Sequence, residues 1–420
     1  MKLLGLITEY NPFHNGHLYH LNKAKEITNA DGVVCIMNGN FMQRGKASIL
    51  NKWSRTEMAL ENGIDIVIEL PFIFGIRSAE YFASASIQLL SSLDIDYFVF
   101  GSESGDIKSL KSTAEILIKE SSYFKKRLKI YLKNGNSFPE AREKAIVDYL
   151  DSDNNYKIKD TIKDIVNKPN NILGIEYLKA IIKQKSKLKS FTIKRSGAEY
   201  HSDKINKKIA SATAIRKLIN ENKLEKVKNL IPEESFNILI KELKNNLLPI
   251  QEEILGNFIL TRLRQLTINN LQDYLEINED LARRINNASY ISGNYEELFE
   301  NISTRLFTNT RIQRNLLYIL FDLKKKSIKK LDRLGPLYAR VLGFKSQSQD
   351  ILSYLNKKSK IEIITQVANY LKSPDINHNN PLIQELSYDL IATDIYSLLY
   401  PSVENRKGKK DYYRPLLKVD

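Results

Sequence analysis

Cysteine is nearly absent from this chain, since its 420 residues include only Cys35. A single cysteine excludes a disulfide framework and fits a reducing, cytosolic setting. Long hydrophobic runs are missing as well. No apolar run approaches the roughly 20 residues of a membrane span, and the run at residues 3–7 is too short for the core of a signal peptide. We therefore expect a cytoplasmic protein with no membrane partner.

Repeats and low-complexity segments are also missing, and the general composition is unexceptional. Hydrophobic residues make up 42% of the chain and charged residues 27%, which is ordinary for a globular protein. A chain of 420 residues can form two or three domains around a large core.

The net charge of +15 is unevenly distributed. Residues 1–105 contain 8 Lys and Arg against 11 Asp and Glu, a balance of −3, so the remaining residues carry +18. A near-neutral catalytic core with a basic remainder suggests a polyanionic partner such as RNA. The alternative is base composition, because Lys, Ile and Asn are abundant throughout, and a run such as residues 324–330 is commonly a solvated face.

Strand and helix patterns alternate through residues 1–105. Short apolar runs typical of buried parallel strands occur at residues 3–7, 32–37, 65–70 and 96–100, with helical patterns at 17–29, 52–62 and 79–93. This alternation predicts an α/β fold with an open, doubly wound parallel sheet, whose ligand binds beyond the carboxyl ends of the strands.

The remainder of the sequence is mostly helical and basic. The patterns predict a helical insertion at about 106–165, a helix at 172–183, a possible fifth strand at 188–194 and a loop at 195–201. Further helices are expected at about 232–244, 250–265, 269–276, 278–290, 294–302 and 309–325, whereas residues 334–420 are less regular. We expect a catalytic domain at 1–230 and a basic helical region at 231–420.

Two histidines lie where the first strand meets the first helix. Pro12 ends the strand, and His14-Asn15-Gly16-His17 begins the helical pattern. Free backbone N–H groups and the helix dipole favour an anion there, Gly16 lets a ligand approach the backbone, and an imidazole can donate a hydrogen bond to phosphate. The stretch predicts a binding site for a nucleotide triphosphate.

A second candidate phosphate site begins at Ser211. In Ser211-Ala212-Thr213-Ala214-Ile215-Arg216 the hydroxyls can cap a helix, and Arg216 provides a bidentate cation one turn further along. With the first motif, this segment resembles the S-x-T-x-x-R motif of the nucleotidylyltransferase superfamily that carries the HxGH signature.

A closer resemblance, to the bacterial tRNA(Met) cytidine acetate ligase family, covers residues 1–220 well and the remainder loosely. It is carried by residues 9–17 and by Gln43-Arg44-Gly45, Lys52-Trp53, Ile68-Glu69-Leu70-Pro71, Phe100-Gly101-Ser102-Glu103 and Lys168-Pro169-Asn170-Asn171-Ile172-Leu173-Gly174. The resemblance implies a nucleotidylyltransferase-like (HUP, Rossmann-like) N-terminal domain and a mostly α-helical, tRNA-binding C-terminal region.

The resemblance also implies an ATP-dependent ligase. Such an enzyme activates acetate as acetyl-adenylate, releasing pyrophosphate, and transfers the acetyl group to the wobble cytidine of elongator tRNA(Met), forming 4-acetylcytidine and AMP. Mg²⁺ is the ion expected with ATP, and no obligate protein partner is implied.

By motif, the implied catalytic residues are His14, His17 and Arg216, which would stabilise the phosphates. The residues implied to bind ATP are Ile7, Thr8, Glu9, Tyr10, Asn11, Pro12, Phe13, His14, Asn15, Gly16, His17, Leu18, Tyr19, His20, Gly101, Asn170, Asn171, Arg195, Ser211 and Thr213. Which asparagine makes the contact stays open, and no general base is identifiable, with Glu9 the nearest candidate.

Other interpretations compete at several positions. The spacing of His14, His17 and His20 could suggest zinc, but no cysteine or clear carboxylate partner is nearby, so we predict no resident metal and a supporting role for His20. Arg44 and Lys52 are either solvated charges or part of the site. Trp53 is expected in the core, and Gly101 either forms a simple turn or contacts adenine.

Two other functions remain open. A small-molecule adenylyltransferase, or an acetate ligase acting on a protein thiol cofactor, would use the same core without needing the basic region. A non-catalytic RNA-binding adaptor would need neither the histidines nor Arg216.

Overall fold

The computed structural model describes residues 1–136, 138–152, 165–166, 168–195 and 210–420. The predicted loop at 196–201 and residues 153–164 of the predicted insertion lie outside the described residues. Within the described part of the chain, no helix is both long enough and apolar enough to cross a membrane.

One eight-stranded sheet organises the described residues. The strands are β1 Leu3–Thr8, β2 Gly32–Asn38, β3 Ile66–Leu70, β4 Tyr97–Ser102, β5 Lys189–Lys194, β6 Tyr338–Lys345, β7 Glu362–Ile364 and β8 Leu417–Val419. Their order is β5-β4-β1-β2-β3-β6-β7, with β8 also paired to β6. Strands β1 to β5 are parallel, and β6 runs antiparallel to β3. The predicted doubly wound, mostly parallel sheet is confirmed.

Helices cover both faces of the sheet. Up to β5 they are Asn15–Thr28, Lys52–Glu61, Phe72–Gly75, Ala79–Ser92, Ile107–Lys119, Ser122–Lys133, Phe138–Ser152 and Pro169–Lys183. Beyond β5 they are Ala212–Asn220, Leu224–Lys228, Glu233–Lys244, Glu252–Arg264, Ile268–Gln272, Glu279–Ile291, Tyr295–Ile302, Asn309–Leu320, Lys325–Leu334, Gln349–Lys358, Pro381–Ser397 and Lys410–Tyr413. Short 3₁₀ turns occur at Ser346–Ser348, Val367–Asn369 and Val403–Arg406.

Successive residues of the central strands enter separate cores. In β2, Val34 and Ile36 pack on one side of the sheet while Val33 and Cys35 pack on the other. Both faces are therefore apolar, which explains why the parallel strands appear in the sequence as continuous hydrophobic runs.

The C-terminal region contributes strands that the sequence did not predict. β6 pairs with β3, with Ile68 opposite Val341, so this part of the chain extends the N-terminal sheet. The predicted helix at 309–325 is also interrupted: it ends at Leu320, Asp322 has a positive φ of 55°, and a new helix begins at Lys325.

A buried ion-pair network fastens the C-terminal segments to the sheet. Lys52 is completely buried, and its Nζ lies 2.8 Å from Glu69 and 2.9 Å from Asp411. Arg340 of β6 pairs with the same two carboxylates. The interpretation of Lys52 as a solvated charge is therefore wrong. The expectation that Trp53 belongs to the core is confirmed, since it is 6% exposed.

The strand order creates a crevice at one position. From β1 the chain continues to β2 and β3 on one side, then returns to place β4 and β5 on the other. The crossover connections therefore diverge between β1 and β4, and ligands of such sheets bind beyond the carboxyl ends of the strands at this point.

Candidate active site

A cavity of about 1170 Å³ lies at the predicted crevice. Thr8, Gly101 and Lys194, near the carboxyl ends of β1, β4 and β5, all line it. The topology and the cavity therefore identify the same site.

The histidines of the first motif form a stacked pair at a helix N-terminus. The Nδ1 atom of His14 accepts a hydrogen bond from the Gly16 N–H at 3.0 Å, and Nδ1 of His17 accepts from the His14 N–H at 3.3 Å. Their ring centroids are 3.7 Å apart, with an interplanar angle of 21°. Because each Nδ1 accepts a hydrogen bond, the proton of each neutral ring lies on Nε2, and both residues line the cavity. Each can therefore donate one N–H to a ligand.

Both histidines are held neutral. Burial, followed by the positive charges of Arg195 and Arg216, lowers the pKa of His14 to about 4. Burial and the neighbouring His14 lower the pKa of His17 well below its ordinary value. At neutral pH the pair therefore provides uncharged hydrogen-bond donors.

His20 lies one turn beyond His17 and also lines the cavity. Burial, followed by the charge of Arg195, lowers its pKa to about 4, and its Nε2 atom has no hydrogen-bond partner among the described residues. No cluster of three or more metal-binding side chains occurs within the described ranges.

The second motif is joined to the first through Arg216. Its Nη1 atom donates to the Asn11 carbonyl at 2.8 Å, and Nη2 donates to the Thr213 hydroxyl at 3.1 Å. Ser211 caps the helix by accepting from the Ala214 N–H at 3.2 Å. Ser211 and Ala214 line the cavity, whereas Arg216 and Thr213 do not. Arg216 therefore fixes the two motif segments relative to each other.

The two adjacent asparagines have different surroundings. Asn171 is 1% exposed, and its Oδ1 atom accepts from the N–H groups of Glu103 and Ser104. Asn170 lines the cavity, and its amide donates to Glu103 at 2.7 Å. Of the two, Asn170 is the one placed to contact a ligand.

Gly101 and Arg195 meet at the ends of β4 and β5. A Cβ atom at Gly101 would lie 3.2 Å from Cγ of Arg195, so a larger residue would press on the arginine stem. The Arg195 N–H donates to the Ser102 carbonyl at 2.8 Å, which holds this cation beside the histidines.

The structure divides the predicted site residues into two groups. Those lining the cavity are Ile7, Thr8, Glu9, Tyr10, His14, Gly16, His17, Tyr19, His20, Gly101, Asn170, Arg195 and Ser211. Those that do not line it are Asn11, Pro12, Phe13, Asn15, Leu18, Asn171, Thr213 and Arg216. Members of the second group support the site: the Asn11 amide accepts from the Ile49 N–H, and Phe13 is fully buried.

Two walls of the cavity were not predicted, apart from Arg44, for which a place in the site was one of two interpretations. One is apolar and includes Phe82, Phe100, Leu117, Phe124, Leu128, Leu173 and Tyr177. The other, which we call the far wall, consists of Arg44, Thr308, Thr310 and Arg314. Gly45 allows the Arg44 segment to pack closely against the helix that carries Arg314. It has a φ of +82°, and a Cβ atom at this position would lie 2.5 Å from the backbone nitrogen of Arg314. The Gln43-Arg44-Gly45 motif was the only sequence signal for this contact.

The chain is similar to known proteins along its whole length. A family model described as HIGH Nucleotidyl Transferase matches residues 1–411. The tRNA(Met) cytidine acetate ligase of Halothermothrix orenii is 47% identical over the full length of both chains, and that of Acetivibrio thermocellus is 41% identical over 99% of this chain and all of its own. A crystal structure of Thermotoga maritima TmcAL bound with alpha-thio ATP superposes with a TM-score of 0.91, at 35% identity and full coverage of both chains.

Proposed function

Because the chain belongs to the tRNA(Met) cytidine acetate ligase family of HIGH nucleotidyl transferases, we propose that its cavity activates acetate with ATP and acetylates tRNA(Met). The substrate nucleotide is the wobble cytidine of the elongator tRNA, and the product is 4-acetylcytidine. The observation that carries this proposal is the neutral His14–His17 pair at a helix N-terminus, inside a cavity large enough for more than one ligand.

In the first step, a carboxylate oxygen of acetate attacks the α-phosphorus of ATP, and the bond from that phosphorus to the pyrophosphate oxygen breaks. Negative charge develops on the oxygens of the reacting phosphates during this displacement. Catalysis therefore requires positioned hydrogen-bond donors that stabilise this charge, rather than a nucleophile on the protein. The Nε2–H groups of His14 and His17 supply two such donors, and Arg195 supplies a cation beside them.

In the second step, the exocyclic amine of cytidine attacks the carbonyl carbon of acetyl-adenylate. The bond to the AMP oxygen breaks, and the amine loses a proton. Glu9 is the carboxylate closest in sequence to the His14–His17 motif. It lines the cavity, and its Oε1 atom accepts a hydrogen bond from the Gln43 N–H at 2.8 Å. We assign the proton to Glu9 or to water.

The ATP site then consists of the predicted residues that line the cavity, with Asn170 as the contacting asparagine and Arg216 as a positioning residue for both motifs. Mg²⁺ fits as an ion that arrives with the triphosphate, because magnesium is usually held by one or two carboxylates together with substrate phosphates. Glu9 is the candidate protein ligand, and the ion would neutralise phosphate charge.

We assign residues 1–230 to ATP binding and catalysis and residues 231–420 to tRNA binding. The two regions are in contact, because β6 pairs with β3 and the far wall includes residues of both regions. The basic surplus of +18 outside residues 1–105 suits a polyanionic partner. An enzyme that modifies tRNA works where tRNA is present, so we place it in the cytoplasm.

The test is to incubate the protein with ATP, radiolabelled acetate and bulk tRNA, and to follow the label. We expect label in tRNA that depends on ATP and that is recovered as acetylcytidine after nuclease digestion. His17→Ala should abolish most of it, whereas His378→Ala, the same substitution at an exposed loop position, should not. Label on a protein thiol or a small molecule, with none in tRNA, would contradict the proposal.

A further inference from the structure

The far wall contains an uncapped helix N-terminus that opens into the cavity. The helix Asn309–Leu320 begins after Thr308, whose side chain makes no capping hydrogen bond. Thr308 and Thr310 line the cavity, and the N–H groups of Asn309 and Thr310 have no hydrogen-bond partner in the described part of the chain. Such an N-terminus presents free donors and partial positive charge, which favour an anion.

Arg314, one turn further along the same helix, provides an independent sign of a ligand. It lines the cavity although it is only 8% exposed, and its Nε atom is buried without a hydrogen-bond partner among the described residues. Its Nη2 atom lies 3.7 Å from Glu276, which is too long for a strong paired hydrogen bond. The guanidinium also contacts the Tyr318 hydroxyl. A cation that lines a cavity and, within the described part of the chain, has only this long ion pair for its charge can pair with a phosphate that enters the cavity. Arg44, which is exposed, adds a second cation to the wall.

The cavity also has room beyond the ATP site. Its volume of about 1170 Å³ exceeds the roughly 300–1000 Å³ that pockets for single small ligands usually have. In the proposed reaction the cytidine amine must reach the acetyl-adenylate, so RNA must enter the same cavity. A nucleotide that enters brings its backbone phosphate with it.

We propose that the far wall binds a backbone phosphate of the tRNA next to the wobble cytidine, which positions the cytosine amine for acyl transfer. This inference rests on the proposed function. The phosphate chemistry could also come from the terminal phosphates of ATP, and the two sources can be separated because the proposed adenylation step uses only ATP and acetate.

The principal variant is Thr310→Glu. A carboxylate in the first turn is favourable for the helix, so the fold should persist, while the new charge repels a phosphate. Thr261→Glu is the matched control, since it makes the same substitution on an exposed helical residue outside the cavity. Arg314→Gln serves as a second variant, with thermal unfolding to verify that it folds.

Two measurements are made on each variant: acetate-dependent ATP–pyrophosphate exchange without RNA, and tRNA binding as a function of salt. We expect Thr310→Glu and Arg314→Gln to weaken tRNA binding about tenfold or more and to leave exchange within about twofold. The slope of log Kd against log salt should decrease by about 0.7, as for one lost single-strand phosphate contact. Thr261→Glu adds the same charge to the basic region but away from the cavity, so it should leave exchange unchanged and weaken tRNA binding by less than about threefold.

The other outcomes overturn the inference in distinct ways. A parallel loss of exchange and a higher KM for ATP would assign the far wall to ATP. If both variants bind tRNA as tightly as the wild type does, no phosphate of the tRNA binds at the far wall. Failure of the wild type to bind or acetylate tRNA would instead refute the proposed function itself.

Discussion

The first motif should catalyse as a pair of neutral donors, and the pH dependence of adenylate formation tests this. With a pKa of about 4 for His14, about one molecule in a thousand carries a proton on this ring at pH 7. Since the pKa of His17 is also lowered, neither histidine should contribute a step to the exchange rate between about pH 5.5 and 8. A catalytic imidazolium would instead require the rate to fall as the pH rises through its pKa.

The magnitude follows from the number of donors. His17→Ala removes one Nε2–H donor, and the loss of one donor that stabilises a transition state typically costs 10²–10³-fold in rate, or about 3–4 kcal/mol. The variant also removes the acceptor of the His14 N–H, which costs about 1 kcal/mol of stability as for a lost helix cap. The protein should therefore fold and yet exchange pyrophosphate at least about 100-fold more slowly.

The assay is acetate-dependent ATP–pyrophosphate exchange from pH 5.5 to 8, with circular dichroism to verify folding. His378→Ala is the control, because it removes an exposed histidine outside the cavity. Exchange by folded His17→Ala within about threefold of the wild type would refute the donor assignment. A wild-type rate that declines steadily from pH 6 to 8 would refute the neutral form.

Three further predictions concern the supporting residues. Arg216→Lys keeps the charge but loses the fork that joins the two motifs, so the KM for ATP should rise about tenfold; unchanged ATP kinetics would exclude a positioning role. Lys52→Met removes a positive charge that compensates buried carboxylates such as Glu69, so urea unfolding should show an unfolding free energy about 3–5 kcal/mol lower than that of the wild type. A decrease of less than about 1 kcal/mol would contradict this prediction. The pKa of His14 in the folded protein is lowered to about 4, so the contribution of this residue to stability is present above pH 6.5 and lost toward pH 4. Acidification from pH 7 to 4.5 should therefore reduce the unfolding free energy by about 2 kcal/mol through His14. A His14→Ala variant with the same acid dependence as the wild type would contradict this prediction.

β1 to β4 were predictable because both of their faces are buried, so they appear in the sequence as short apolar runs. β5 lies at the edge of the sheet and is only partly buried, and its apolar residues alternate with polar ones. Each predicted boundary of β1 to β5 lies within two residues of the observed one. β6 was not predicted because Arg340 interrupts its apolar run. That arginine is buried only because Glu69 and Asp411 compensate its charge, and these partners come from distant parts of the chain.

The site was predictable to the extent that it consists of contiguous motifs. His14 and His17 are separated by one helical turn, so their spacing alone places them together. Asn170 and Asn171 could not be ranked, because adjacent helical residues point in different directions and only the Glu103 loop decides which of them is occupied by backbone donors. Arg314 was missed because tertiary packing of its helix against the Gly45 loop, and no local pattern, brings it to the cavity.

Activation of acetate at the α-phosphorus of ATP can be followed with oxygen isotopes. The experiment is turnover with tRNA and with acetate that carries ¹⁸O at both oxygens, followed by mass spectrometry of the nucleotide product. We expect AMP with one heavy oxygen, because the attacking carboxylate oxygen remains on phosphorus when the carbonyl carbon is transferred to the amine. ADP with labelled inorganic phosphate, or AMP without label, would contradict this prediction.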